Sequence, residues 1–213
     1  GGGDGGTARV AGCVLGVSGG TEGARAVCCA VGALGAERVR SIMLASKYSA
    51  SISLEGAREM ARIVGVRYDE IPIGPTFDAF LASLTGEFAG LVPDATEENI
   101  QARIRGTLLM ALSNKFGSIV LTTGNKSEMA VGYATLYGDM AGGFAVLKDI
   151  SKTLVYRLCR YRNSLGRVIP ERIITRPPSA ELHPDQLDPD SLPAYGVTAA
   201  LLEPYTTHHS PPA

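Results

Sequence analysis

The sequence lacks several features that mark whole classes of protein. No apolar run in the 213 residues is long enough for a membrane helix, and the amino terminus shows no signal-peptide pattern. The formal net charge is −1, and no block of Lys or Arg supplies the basic surface that nucleic acid requires. We therefore expect a cytoplasmic protein without a membrane or nucleic-acid partner.

Metal-binding and redox motifs are also missing. The four cysteines have no CxxC spacing, and the three histidines lack metal-ligand spacing with any Cys or Glu. These residues are Cys13, Cys28, Cys29, Cys159, His183, His208 and His209. A free thiol among apolar residues packs as a small hydrophobic group. We therefore expect buried, inert thiols and no zinc site.

The composition, with 45% hydrophobic and 19% charged residues, is typical of a globular protein. A chain of this length can form one domain with a sizeable core. We assign residues 10–205 to that domain. Residues 1–9 are almost all glycine and are interpreted as a disordered tail or an artefact, and residues 206–213 as a second tail.

Short apolar runs alternate with helical patterns along the chain. Strands are predicted at 10–17, 39–44, 66–73 and 118–122, and helices at 24–34, 53–64, 75–84, 96–116 and 151–162. Ser53 is predicted to cap the second helix, and the chain beyond Ile169 to be irregular. The alternation predicts an α/β fold, a doubly wound parallel sheet with helices on both faces. Ligands of such sheets bind at the carboxyl ends of the strands.

The first strand runs into a glycine-rich segment that precedes a helix, Gly16-Val17-Ser18-Gly19-Gly20-Thr21-Glu22-Gly23. Glycines let the backbone approach a phosphate, and a helix start adds free N–H groups, so this segment predicts anion binding. It is not a kinase-type P-loop, because no Lys follows the glycines. It is not the GxGxxG dinucleotide motif either, because Ser18 replaces the first glycine. A tight strand-to-helix turn without a ligand remains the alternative.

Further polar segments follow the predicted strands or open helices. They are Glu98-Asn99-Ile100-Gln101-Ala102-Arg103-Ile104-Arg105-Gly106, Thr122-Thr123-Gly124-Asn125-Lys126-Ser127-Glu128, Tyr137-Gly138-Asp139-Met140-Ala141-Gly142-Gly143 with the later Lys152, Pro178-Ser179-Ala180-Glu181-Leu182 and Asp190-Ser191-Leu192-Pro193. Asn99 and Arg103 are four residues apart and share one helix face. An Arg fork there suits a phosphate or a carboxylate, and a solvated helix face is the alternative.

The Ser-Gly-Gly turn resembles the pyrophosphate-binding loop of the PP-loop ATPases, which cleave ATP between the α and β phosphates. From about Val10 to Tyr205 the segments together resemble NAD⁺ synthetase, and more closely the ligase half of its glutamine-dependent form than the ammonia-only form. The resemblance implies a fold like that of the adenine nucleotide alpha hydrolases. It also implies ATP-dependent amidation of deamido-NAD to NAD⁺ through an acyl adenylate, with release of AMP and pyrophosphate.

The resemblance further implies roles for individual residues, with ATP as co-substrate and Mg²⁺ as cofactor. ATP would be bound by Gly16, Ser18, Gly19, Gly20, Gly23, Thr123, Lys152 and Ser179, and deamido-NAD by Asn99, Arg103 and Asp139. Glu22 and Glu128 would hold Mg²⁺, and Lys152 and Glu22 would be catalytic. Lys47, Tyr48 and Ser49 are candidates for the adenine side. Ordinary surface or turn positions are the alternative for Arg103, Glu128, Asp139 and Lys152.

The sequence departs from the family in its loop, which usually reads Ser-Gly-Gly-x-Asp-Ser. Here Glu22 replaces the Asp and Gly23 replaces the second Ser. One lost hydrogen bond to a charged group weakens binding by about ten- to a hundredfold. We therefore expect weaker pyrophosphate binding, and predict that Glu22→Asp together with Gly23→Ser raises activity.

A second departure concerns what precedes Val10. The family has an amino-terminal helix that helps to form a dimer, and its glutamine-dependent members have a glutaminase half, and neither is present before Val10. We therefore expect a fragment, a split protein or a divergent copy. We also expect a homodimer that takes ammonia from solution, a separate subunit or a missing domain.

Two other functions stay open at this point. The altered loop favours a degenerate PP-loop module that binds nucleotide, or only assembles, without turnover. Another PP-loop amidating or thiolating enzyme is the second alternative. A tRNA thiolase should show basic patches or catalytic cysteines, and neither is evident.

Overall fold

A computed structural model describes residues 11–176, 179 and 181–182. Its centre is a five-stranded, entirely parallel sheet in the order β3-β2-β1-β4-β5. The strands are β1 Cys13–Val17, β2 Val39–Met43, β3 Arg67–Glu70, β4 Ile119–Thr122 and β5 Phe144–Ala145. The predicted parallel sheet is thereby confirmed, although each predicted strand is shorter than expected and β5 was not predicted.

Helices flank the sheet throughout the described residues. They are α1 Thr21–Leu34, α2 Ser51–Val64, α3 Gly74–Leu84, α4 Ala95–Phe116, α5 Lys126–Ala130, α6 Lys152–Ser164 and α7 Glu171–Thr175. Helix α7 contradicts the prediction of irregular structure beyond Ile169. It forms because Ile173 and Ile174 are buried, and because Pro170 stands at its N-cap position, where a proline does not break the helix.

Two helix starts differ from the prediction. Helix α1 begins at Thr21 and includes Gly23, which is buried within its first turn. Helix α2 begins at Ser51 with Ala50 as its N-cap, so the prediction that Ser53 caps it is wrong. Ser53 lies inside the helix, and its hydroxyl is used for a tertiary contact described below.

Both faces of the sheet are covered by helices. Adjacent residues of β1 point to opposite faces, so Val14 belongs to one core and Leu15 to the other. The core around Val14 contains residues of α3 and α4, and that around Leu15 contains residues of α1, α2, α6 and α7. The predicted helices on both faces are therefore confirmed.

Helix α4, with 22 residues, is the longest described helix. Asp94 and Glu97 form a reciprocal capping box at its start, and Gly117 ends it with a φ of 63°. Ile100 and Ile104 are buried, and Leu108 and Leu112 pack against the same core. These four residues recur every fourth position and form an apolar stripe, which fixes the side of α4 that faces the sheet.

The order of the strands creates a switch point beside β1. The chain passes from β1 to β2 on one side, and later returns to place β4 on the other side of β1. The segments that follow β1 and β4 therefore diverge and leave a crevice at their carboxyl ends.

Several predictions fall outside the described residues. The tails 1–9 and 206–213, the three histidines and the segment 190–193 lie there. Within the described residues, no helix combines the length and the apolar character needed to cross a bilayer.

The cysteines are free thiols that differ in burial. Cys13 and Cys159 are buried, whereas Cys28 and Cys29 are half-buried, so burial is confirmed for two of the four. Burial raises the pKa of the Cys159 thiol to about 12, because loss of water disfavours the thiolate.

We predict that the native protein shows no more than two thiols reactive towards Ellman's reagent at mildly alkaline pH, since Cys13 and Cys159 are shielded. All four should react after unfolding in guanidinium. Immediate reaction of four thiols in the native protein would contradict the described packing.

Candidate functional site

A cavity of about 290 Å³ opens at the switch point. Its walls are the segment after β1, the residues after β4, one side of α4, and the last described residues of the chain. The crevice expected at the carboxyl ends of the strands is therefore present, and it is large enough for a small-molecule ligand.

The segment 16–20, here named the anion loop, forms one wall of the cavity. Gly19 has a φ of 75°, and a Cβ atom placed on it would lie 2.5 Å from the carbonyl oxygen of Ser53. Gly20 is the N-cap of α1 and supplies no side-chain acceptor for the first N–H groups of the helix. The loop and the helix start together present backbone donors of the kind that bind phosphate.

Lys152 is the charged centre of the cavity. Its side chain is 3% exposed, its Nζ contacts Glu22 Oε1, and Glu128 Oε1 lies 3.6 Å away. Burial alone would lower the pKa of this lysine, but the two carboxylates outweigh burial, so the pKa is raised. Lys152 is therefore an ammonium at neutral pH, and the formal charges of the three side chains sum to −1.

Asn125 holds the two carboxylates in place. It is completely buried, and its Nδ2 donates to Glu22 Oε1 at 3.1 Å. Its backbone N–H donates to Glu128 Oε2 at 3.2 Å, while its Oδ1 accepts from the Glu128 N–H at 3.1 Å. This is a capping box at the start of α5. The same box that starts the helix thus fixes Glu128 beside Lys152.

Helix α4 packs closely against the segment 133–139. A Cβ on Gly106 would lie 2.7 Å from the carbonyl oxygen of Gly138. Asn99 Oδ1 accepts from Thr135 Oγ1 at 2.8 Å, and Arg103 Nε donates to the carbonyl oxygen of Leu136 at 3.3 Å. Asn99 and Arg103 therefore hold a segment whose residues line the cavity.

Arg105 is the arginine of α4 that lines the cavity. Its Nε donates to the carbonyl oxygen of Leu44, the residue after β2, at 3.0 Å. Burial lowers its pKa to about 10, with Glu181 acting in the opposite direction. The guanidinium is therefore still charged at neutral pH and is fixed at the β2 side of the cavity.

The last described residues complete the cavity wall. Arg176, Ser179, Glu181 and Leu182 line it. Leu182 is attached to α4, because its carbonyl oxygen accepts from Gln101 Nε2 at 2.9 Å.

Most of the residues predicted from the sequence lie together in this cavity. Those that line it are Gly16, Ser18, Gly19, Gly20, Glu22, Thr123, Glu128, Asp139, Lys152 and Ser179, together with Ser49 from the candidate adenine side. Gly23, Asn99, Arg103, Lys47 and Tyr48 lie outside the lining. Arg103 is exposed and Gly23 faces Val17 inside the fold. The ligand roles of all these residues stay predictions.

Several lining residues were not singled out from the sequence. They are Arg105, Tyr133, Tyr156, Arg176 and Glu181. For Asn125, which supports the site, the N-x-x-E spacing to Glu128 was an available signal, because it is the spacing of a capping box. For the others, only the tertiary fold brings them to the cavity.

The parallel sheet, with a glycine loop, an uncapped helix start and a buried lysine between carboxylates at its switch point, has the α/β fold of the PP-loop class, which the solved structures described next share. Within that class, this chain belongs to the NAD synthase family, whose family model matches residues 6–213.

Known proteins of the family are similar in sequence and in structure. The glutamine-dependent NAD(+) synthetase of Acinetobacter baylyi is 56% identical over 196 residues, which are 91% of this chain and 36% of the relative. A structure of the glutamine-dependent NAD+ synthetase of Acinetobacter baumannii in complex with ADP has a TM-score of 0.78 and 51% identity, covering 93% of this chain and 35% of that chain. The NMN synthetase of Francisella tularensis has a TM-score of 0.82 and 28% identity, covering 92% and 78%.

The chain spans about a third of the length of the curated relatives it matches. The similarity therefore concerns one portion of those proteins, and the activity of the whole relatives reaches this chain only as a proposal.

Proposed function

We propose that this chain carries the ligase reaction of its family, the ATP-dependent conversion of deamido-NAD to NAD⁺. The observation that carries the proposal is the buried Lys152, held against Glu22 and Glu128 in the same cavity as the anion loop. A buried ammonium and backbone donors in one cavity are what the phosphates of ATP require. The names of the relatives supply the product, NAD(+), and the resemblance in sequence implies deamido-NAD as the second substrate.

The reaction proposed for this cavity has two steps. A carboxylate oxygen of deamido-NAD bonds to the α-phosphorus of ATP, and the bond from that phosphorus to the bridging oxygen breaks, so pyrophosphate leaves. Ammonia then bonds to the carbonyl carbon of the acyl adenylate, loses a proton to solvent, and displaces AMP. The carboxylate oxygen leaves with AMP, and the amide of NAD⁺ remains.

The residues of the chain act here by positioning and charge. Two anions must approach each other in the first step, which requires fixed positive groups and oriented donors. We assign the pyrophosphate to the anion loop and the α-phosphate to Lys152, while Arg105 supplies a second fixed cation on the β2 side. No covalent enzyme nucleophile is required, which agrees with the raised pKa of the buried Cys159 thiol.

The carboxylates of Glu22 and Glu128 fit a Mg²⁺ that arrives on ATP. Both line the cavity, and the formal charges of the two carboxylates and Lys152 sum to −1, which a divalent cation would offset. In the described part of the chain no three His, Cys, Asp or Glu side chains cluster into a complete metal cage. Mg²⁺ commonly takes one or two carboxylates and completes its shell with phosphate oxygens and water. When bound, it would neutralise phosphate charge.

The nitrogen source, the oligomeric state and the compartment are proposed from the similarity to the family. We propose that the nitrogen reaches this cavity as ammonia, from solution or from a glutaminase domain or subunit, since relatives of which this chain spans about a third are named glutamine-dependent. We also propose a homodimer in the cytoplasm. Size-exclusion chromatography with light scattering measures the mass, and a monomer at micromolar concentration would contradict the dimer.

The proposal is tested by incubating the protein with ATP, Mg²⁺, deamido-NAD and ammonium and separating the products. We expect AMP, pyrophosphate and NAD⁺ in equal amounts. ADP and phosphate as products, or no turnover, would contradict it.

The degenerate binding module is not favoured, because the charged side chains of Glu22, Glu128 and Lys152 all line the cavity and the chain is 56% identical to an NAD(+) synthetase. A thiolase would instead need a reactive cysteine at the site, and none of the four cysteines lines the cavity.

The altered loop provides a gain-of-function prediction. A Cβ at Gly23 would have only ordinary contacts, the nearest at 3.5 Å from Val17 Cγ1, so a serine fits there. The resemblance to the family loop places a phosphate-binding serine at this position, so one added hydrogen bond to a charged phosphate should lower the KM for ATP by about tenfold. We expect Gly23→Ser, alone and with Glu22→Asp, to raise kcat/KM for ATP in a steady-state assay.

The matched control is Gly32→Ser, on the same helix, where a Cβ meets nothing within 4 Å. It should leave the kinetic constants unchanged. If Gly23→Ser and its combination with Glu22→Asp both failed to exceed the parent chain, the alignment of this loop with the family motif would be wrong.

A further inference from the structure

Glu181 caps a helix that lies far from it in sequence. Its side chain is buried, and its Oε2 accepts from the backbone N–H of Ala50 at 3.2 Å. Ala50 is the N-cap of α2 and offers no side-chain acceptor of its own. Glu181, 131 positions later, therefore supplies both the acceptor and the negative charge that a helix start favours.

The same carboxylate holds Ser53. Glu181 Oε1 accepts from Ser53 Oγ at 2.5 Å and from Arg176 Nη2 at 2.8 Å, and Arg176 Nη1 also contacts Ser53 Oγ. Ser53 is 2% exposed. Its hydroxyl, the guanidinium and the carboxylate thus form one buried cluster at the start of α2.

Ser53 in turn supports the anion loop. Gly19 lies directly on its backbone, since a Cβ at Gly19 would be 2.5 Å from the Ser53 carbonyl oxygen and 2.8 Å from its Cα. The contact leaves no room for adjustment, so a displacement of Ser53 must displace the loop. Glu181 and Ser18 line the same cavity.

The backbone of Glu181 is itself strained. Its φ is 52°, a left-handed conformation that a residue with a long side chain adopts rarely and at a cost. Ser179 Oγ accepts its N–H at 3.1 Å. Such a conformation persists where surrounding contacts impose it, and here those contacts direct the carboxylate to α2.

We propose that Glu181 is a positioning residue, which sets the anion loop through Ser53 and so couples the described contacts of Glu181 and Arg176 to pyrophosphate binding. The inference rests on the proposed function, because that function assigns pyrophosphate to the loop.

The test is the affinity of Glu181→Gln for magnesium pyrophosphate, measured by calorimetry. Both carboxylate oxygens of Glu181 accept hydrogen bonds. A glutamine at this position must therefore direct its NH₂ group at one of the donors, which loses that hydrogen bond. We expect a Kd about tenfold higher than in the parent chain. The matched control is Glu59→Gln, because Glu59 also joins α2 to the carboxyl-terminal part, through Arg172 Nη2 at 2.5 Å, but does not line the cavity. It should bind like the parent.

A double-mutant cycle with Ser53→Ala separates positioning from general destabilisation, with thermal denaturation reporting that each variant is folded. If the effect passes through Ser53, Glu181→Gln should change the Kd little in the Ser53→Ala background. An unchanged Kd in Glu181→Gln, or a full tenfold effect in both backgrounds, would overturn the inference alone. Failure of the parent chain to bind pyrophosphate would overturn the proposed function together with it.

Discussion

Replacing Lys152 with methionine is expected to lower kcat/KM for amide synthesis by about a hundred- to a thousandfold or more, the usual loss when a preorganised charge is removed from a transition state. Lys152 is 3% exposed and contacts Glu22, so no other cation can take its position without rearrangement. Without it, the carboxylates of Glu22 and Glu128 repel the incoming phosphates. Initial rates with saturating ammonium and varied ATP measure the effect.

The same substitution should also destabilise the fold. Removal of one partner from a buried ion pair costs about 3–5 kcal/mol, because the other charge stays buried without compensation. The double variant Lys152→Met with Glu22→Gln should recover much of the free energy of unfolding and none of the activity. Chemical denaturation and the rate assay together separate the two roles.

Lys148→Met is the control, because Lys148 is an exposed lysine outside the cavity lining. It should behave like the parent chain in both measurements. Retention of more than about a tenth of the parent kcat/KM in Lys152→Met would mean that this lysine does not act on the phosphates.

The substitution Gly19→Ala should disable the anion loop. Its φ of 75° is unfavourable for alanine, and the new Cβ would lie 2.5 Å from the Ser53 carbonyl oxygen, which is backbone and cannot move aside. We expect the Kd for a non-hydrolysable ATP analogue to rise by about a hundredfold, as several backbone donors move together. We also expect the free energy of unfolding to fall by about 1–3 kcal/mol.

Gly32→Ala provides the comparison for this variant. Gly32 lies in α1 at a position with nothing within 4 Å of an added Cβ, so alanine should stabilise the helix by about 0.5–1 kcal/mol. Nucleotide binding should not change. Equal nucleotide affinity in Gly19→Ala and Gly32→Ala would show that the loop does not bind phosphate.

The fold was largely predictable because its central strands β1 and β4 are mostly apolar and its helices have clear ends. Gly35, Gly65 and Gly117 end α1, α2 and α4 where the sequence indicated. β5 could not be predicted, since Phe144–Ala145 is too short for any periodic pattern and exists through its pairing with β4. Helix α7 was missed because five residues amid prolines give no helical period.

The site was predictable where residues directly follow a strand. The anion loop and Thr123 follow β1 and β4, so the topology alone brings them to one crevice. Arg103 and Arg105 show where prediction of the site from the sequence fails. They are two residues apart, roughly 200° around the helix, and the rotation of α4 against the segment at Gly138 decides that Arg105 lines the cavity.

The contacts of Glu181 also could not be predicted from the sequence. Its partners Ala50 and Ser53 are 131 and 128 positions away in sequence, and no local pattern records such a contact. Ser53 was interpreted as a helix cap because serine favours that position. The tertiary contact with Glu181 explains instead why a buried hydroxyl stands at this point of α2.

The transfer of oxygen from substrate to AMP tests the central claim most directly. Deamido-NAD labelled with heavy oxygen in its nicotinate carboxylate would be incubated with ATP, Mg²⁺, ammonium and this chain, and the AMP analysed by mass spectrometry. An acyl adenylate formed in this cavity requires one labelled oxygen in each AMP. AMP without label, formed at the same rate as NAD⁺, would contradict the assignment of the anion loop and Lys152 to adenylation.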